Sequence, residues 1–121
     1  MIMDTNLRAE IDRLHAQVCN GLADPNRILI LYTISENAYN VSDLAKTVEL
    51  PQSTVSRHLK ILRDRGMVTA QRVGQSVFYS LADDRIIQAL ELLRAMLASS
   101  LESQGELARS VTQSKVSDQE E

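Results

Sequence analysis

Residues 41–66 read VSDLAKTVELPQSTVSRHLKILRDRG, two short helical patterns separated only by the break Glu49-Leu50-Pro51. So short a connection makes the second helix cross the first steeply, and this constrains the fold more than any other feature of the chain. In the second pattern Val55, Leu59 and Leu62 fall at i, i+4 and i+7, a single stripe for burial. Ala45 is small enough for a close crossing, and Val55 can fill the angle between the helices. Gln52, Ser53, Ser56, Arg57 and Lys60 project from the other faces. Gly66 is placed to stop the helix as a left-handed C-cap.

The flanking segments complete the outline. Over 5–22, Leu7, Ile11, Leu14, Val18 and Leu22 alternate at steps of four and three, predicting one amphipathic helix. Asp24-Pro25 is a helix start, with Asp24 accepting from free amides and Pro25 needing no donor at the first position. The helix that follows, to about Glu36, is apolar nearly all round and belongs in the core. ENAYN reads as a polar turn, after which Asn40 caps the VSDLAKTV helix. Beyond Gly66, Val68, Val73, Val77, Phe78 and Tyr79 are strand formers, so two short antiparallel strands with a tip at 73–75 are expected. Asp83 caps a last helix from 84 to about 101. The segment 102–121 loses hydrophobic periodicity and is expected to be a polar, disordered tail. The expected division is therefore a domain at 1–101 and a tail at 102–121.

The last helix carries more apolar surface than a chain this small can cover. Pairing of Leu90, Leu93 and Leu97 with Leu7, Ile11 and Leu14 of the first helix, across a two-fold axis, is the simplest burial. No apolar run approaches the roughly 18 residues of a membrane span. The N-terminus lacks the order of a secretory signal, and a lone cysteine, Cys19, points to a reducing compartment, so a cytoplasmic location is expected. No nucleophile–base–orienter set or glycine-rich phosphate loop suggests an enzyme, and no cofactor is expected.

Charge singles out one region. Residues 52–80 contain Arg57, Lys60, Arg63, Arg65 and Arg72 against Asp64 alone, in a chain of net charge −3. A basic island on an acidic protein is the footprint of a local polyanion contact. Short helix, tight turn, basic helix and hairpin together make a winged helix-turn-helix pattern: a mainly α fold of about five helices, with a small β-hairpin wing before the last. The 51–65 helix would enter the major groove of duplex DNA and present Gln52, Ser53, Thr54, Ser56 and Arg57 to base edges or phosphates. Lys60 would supply a point charge to the backbone, and Arg72 and Gln75 flank a wing tip at 72–76. His58, on the inner flank of the helix, is expected to make a structural hydrogen bond. A rival reading keeps the fold but uses the basic face for an acidic protein partner.

These stretches, VSDLAKTVELPQSTVSRHLKILRDRGMV followed by RVGQSVFYSLAD, with LADPNRILIL upstream, resemble the arsenic-repressor (ArsR/SmtB) family of bacterial regulators over about residues 11–98. The resemblance implies a homodimer joined through first and last helices, a palindromic operator, and repression relieved by an inducer. Two positions depart from the family pattern: Pro51 stands where many relatives have a capping serine, and Glu49 where glycine is common in the turn.

The family's known sensing sites find little counterpart. Asn40-Val41-Ser42-Asp43-Leu44 occupies the place of its Cys-Val-Cys-Asp-Leu metal box, and an amide and a hydroxyl do not replace thiolates. The last helix offers Asp83, Asp84 and Glu91 but no histidine, and Tyr32 and Ala98 stand where a dithiol switch would need cysteines. His15 and Cys19, four apart on the first helix, are the remaining metal or oxidant candidates; plain packing of both is the preferred reading. No metal site is otherwise expected, and the inducer is not legible.

Overall fold

The structure, a computed structural model, describes the backbone of residues 5–120 and the side chains of residues 5–109. Residues 1–4 of the expected domain and residue 121 of the expected tail lie outside the described residues. The order is α1 (Thr5–Leu14), continued as a π turn (His15–Cys19), then α2 (Pro25–Glu36), α3 (Val41–Val48) and α4 (Gln52–Asp64). Strands β1 (Val68–Val73) and β2 (Ser76–Leu81) follow, and α5 (Arg85–Glu120) closes the chain. By its internal contacts the chain divides into two units, residues up to 87 and residues from 88 onward.

In the first unit, α2, α3 and α4 enclose the core. Ile30, Leu31 and Ile34 of α2, Leu44, Ala45 and Val48 of α3, and Val55, Leu59 and Leu62 of α4 are all buried. Local chemistry sets where the helices begin. Asp24 accepts from the Asn26 amide at 2.8 Å, and Asn40 from the Asp43 amide at 2.8 Å. Asp83 accepts from the Arg85 amide at 2.9 Å and from its guanidinium, contacts that hold the Asp83 carboxyl down to about 2.

The end of α4 is equally determined. Gly66, at φ +74°, lets its own amide reach the Arg63 carbonyl at 3.0 Å and the Met67 amide reach Leu62 at 2.9 Å. This Schellman arrangement turns Met67 into the core. There Met67 meets Gly21, where an added Cβ would lie 2.7 Å from the Met67 sulfur. The hairpin pairs Val68 with Leu81 through Val73 with Ser76, leaving Gly74-Gln75 as its two-residue tip.

Three expectations need correcting. The first helix is not one uninterrupted α-helix. At the π turn the Asn20 amide donates to the His15 carbonyl five residues back, which rotates the following residues by roughly 100° relative to those before. Leu7, Ile11 and Leu14 therefore stay 36–54% exposed while Val18 and Leu22 pack on the core. Second, ENAYN is more than a turn. Tyr39 exchanges two backbone hydrogen bonds with Tyr79, at 3.1 and 2.8 Å, and so fastens β2 to the α2–α3 connection. Third, helical backbone continues to Glu120 in place of the irregular tail expected from 102. Glu, Gln, Ala, Leu, Arg and Lys are good helix formers, and periodicity reports burial rather than helicity, so its loss did not mark the helix end.

Candidate nucleic-acid interface

The reader helix α4 divides cleanly by face. Val55, His58, Leu59 and Leu62 are buried, and Gln52, Ser53, Ser56, Arg57, Lys60 and Arg63 are exposed, with Thr54 half-buried between them. Pro51 stands at its N-cap with φ −58° and ψ 143°, and no side chain caps the helix. Proline presets the backbone there, and its carbonyl accepts from Thr54 and Val55 at 3.1 Å each. Glu49 adopts the left-handed conformation itself, at φ 58° and ψ 47°. Glutamate here takes the backbone geometry usually given to glycine.

The wing lies beside this surface. Ser56, Lys60, Arg63 and Asp64 of α4 and Tyr79 of β2 line one open cleft of about 410 Å³. Arg63 and Tyr79 were not among the expected contact residues. Helical spacing could have found Arg63, which follows Ser56 and Lys60 on one face. Tyr79 enters because β2 is held there, by its pairing with β1 and by the Tyr39 bridge. Arg72, near the end of β1, and Gln75, at the tip, are both exposed. Lys60 pairs with Asp64 at 3.1 Å, but both side chains are largely solvated, so a phosphate could displace the carboxylate at little cost.

Beneath the exposed face, His58 is 4% exposed, with Nδ1 3.3 Å from Arg27 Nη1 and Nε2 4.0 Å from Asp24 Oδ2. The expected structural role is what this geometry supports. Burial lowers its pKa, with Arg27 and Arg57 acting in the same direction and Asp24 opposing them.

The remaining candidates are dispersed. His15 and Cys19 are both exposed on the π turn, so the preferred packing reading has no counterpart within this subunit. Leu93 and Leu97 are 54% and 58% exposed, whereas Leu90 is 6% exposed and does not share their surface. The family's metal-box chemistry does not fit the present residues. Asn40 uses its side-chain oxygen as a helix cap, and Ser42 is no thiolate. Asp83, just before α5, is engaged by Arg85, and Glu91 on α5 by Arg94 at 2.6 Å.

A helix–turn–helix with a hairpin wing and an outward basic reader defines a winged helix-turn-helix DNA-binding module. Residues 24–70 match the family model described as "Bacterial regulatory protein, arsR family". The chain is similar to the HTH-type transcriptional regulator NmtR of Mycobacterium tuberculosis, 35% identical over 89 residues, 74% of this chain and 71% of that one. It is also similar to a transcriptional repressor SmtB homolog of Synechocystis, 38% identical over 60% of this chain and 54% of that one. Among solved structures, the homodimeric winged helix-turn-helix DNA-binding domain Mb0332 from Mycobacterium bovis aligns with a TM-score of 0.71 at 24% identity. That alignment covers 84% of this chain and 94% of the other. This chain belongs to the arsR family of bacterial regulatory proteins, a family of transcriptional regulators rather than enzymes.

Proposed function

We propose that two copies of this chain bind a palindromic duplex operator in the cytoplasm and repress transcription from it. The observation that carries the reading is the division of α4, with its hydroxyls, Gln52 and cations outward and its aliphatic stripe and His58 sealed in the core. In this reading Gln52, Ser53, Thr54, Ser56 and Arg57 meet base edges and flanking phosphates in the major groove. Lys60, Arg63 and Tyr79 line the cleft for a backbone phosphate, and Arg72 and Gln75 carry the wing to the neighbouring groove or strand. The uncapped start of α4 leaves first-turn amides and the positive dipole end for an anion. Two-fold pairing would space the two readers about one duplex turn apart. The relatives named as regulators and repressors, and the homodimeric state of the Mycobacterium bovis domain, support this reading.

The test is a fluorescence-anisotropy titration on palindromic duplexes selected from a random pool. A selected duplex should bind in preference to random DNA, and log K should fall with log salt at about −0.9 per phosphate neutralised. Equal binding to every duplex would remove the reading in favour of the acidic-partner alternative.

A further inference from the structure

The reader helix is tied to the first helix by hydrogen bonds that its DNA-facing residues do not use. At its C-terminal end the Arg65 guanidinium donates to the Ala16 carbonyl, and more distantly to the Gln17 carbonyl at 3.4 Å. Gln17 reciprocates, its side-chain amide donating to the Arg65 carbonyl at 2.9 Å. At its middle, His58 meets Arg27, whose guanidinium also donates to the Gly21 carbonyl at 2.8 Å and the Asn20 carbonyl at 3.1 Å. The four carbonyls that accept from Arg65 and Arg27 lie in the π turn or the two residues after it. The widened turn disturbs the regular i→i+4 ladder around Ala16 and Gln17, and the helix end leaves the Asn20 and Gly21 carbonyls without i→i+4 amide donors. The Ala16 carbonyl accordingly receives the Asn20 side-chain amide at 3.3 Å as well as Arg65.

We propose that Arg65 and Gln17 are positioning residues for DNA recognition: they clamp the end of the reader helix to the π turn and so set the angle at which α4 meets the groove, without touching DNA. This rests on the operator-binding reading and deepens it. Both carbonyls are met by one guanidinium nitrogen, Nη1, which the rigid planar group holds in a fixed direction, whereas a lysine ammonium turns freely on a shorter-reaching, flexible stem. The clamp makes the first helix, outside the DNA-facing surface, part of the recognition apparatus.

Three variants separate positioning from direct charge contact and from mere stability: Arg65→Lys, Arg65→Ala and Gln17→Ala. Each is titrated on the selected duplex well below its own unfolding midpoint. Positioning predicts that all three lose about tenfold in affinity, the worth of one base contact, with the log–log salt slope unchanged. A phosphate contact by Arg65 predicts instead that Arg65→Lys retains affinity and that Arg65→Ala lowers the slope by about 0.9. That result, or wild-type affinity in folded Gln17→Ala, overturns the proposal. Hydrogen exchange without DNA supplies a separate arm. In the variants the Arg65, Gly66 and Met67 amides should exchange faster, and unchanged protection there overturns the clamp even if wild-type protein shows no operator preference.

Discussion

His58 shows how one side chain can be read from geometry. Arginine only donates, so the nitrogen facing Arg27 must accept, which places the ring proton on Nε2 toward Asp24. The core therefore holds a neutral imidazole, consistent with a pKa lowered chiefly by burial. A folded-state pKa below the unfolded value means that the unfolded chain takes up the proton first. Stability from this group is complete above the ordinary value of 6.5. It is lost as pH falls below that value and levels off beneath the folded pKa. Urea unfolding followed from pH 7.5 downward should show this loss in wild-type protein and a flatter profile in His58→Gln; equal slopes would contradict the assignment. The placement of His58 on an inner flank was legible from its position between Val55 and Leu62. Its partners were not, because Asp24 and Arg27 lie more than thirty residues away in sequence.

At the scale of elements, the turn between α3 and α4 carries its own strain. Glu49 is the one non-glycine residue with positive φ among the described residues. The left-handed region costs a residue with a Cβ about 1–2 kcal/mol. Glycine removes that cost but gives back roughly 0.5–1 kcal/mol through its larger unfolded-state entropy. Glu49→Gly should therefore stabilise the fold by up to about 1.5 kcal/mol, seen as a higher urea midpoint with an unchanged m value. A lower midpoint would show that the glutamate side chain contributes more than the backbone strain removes. The departure from glycine was visible in the sequence, but its consequence was not. Whether a turn reshapes or a residue strains depends on how firmly the flanking helices are held, and here the buried Leu44, Val48, Val55 and Leu59 hold them. The wing was legible as two strands for a different reason, since β-branched and aromatic residues cluster on both sides of the Gly74 turn. A single bridging residue such as Tyr39 has no period to detect.

At the scale of the whole molecule, exposed leucines remain. Leu93, Met96, Leu97 and Leu101 on α5 are 54–65% exposed, and Ile11 and Leu14 on α1 are comparably open. Apolar surface of this extent on helices is what the proposed pairing of two copies would cover. Under the dimer proposal, Leu93→Glu should convert a dimer to a monomer by light scattering while the helical circular dichroism is retained. An unchanged mass would place the interface elsewhere. Leu90, at 6% exposure, would be the wrong probe, since a charge at a buried position tests folding instead of assembly.

What the sequence by itself determined was everything that one or two helical turns can encode: the starts at Asp24 and Asn40, the stop at Gly66, and the opposition of aliphatic and basic faces on α4. Those signals are local, because a cap and its amide, or residues at i and i+4, are neighbours whatever the rest of the chain does. Only the tertiary structure decided the π turn, the Arg65–Gln17 contacts and the Tyr39–Tyr79 bridge. Each depends on what the rest of the fold brings near, and a periodicity read along one segment carries no record of what will pack against it.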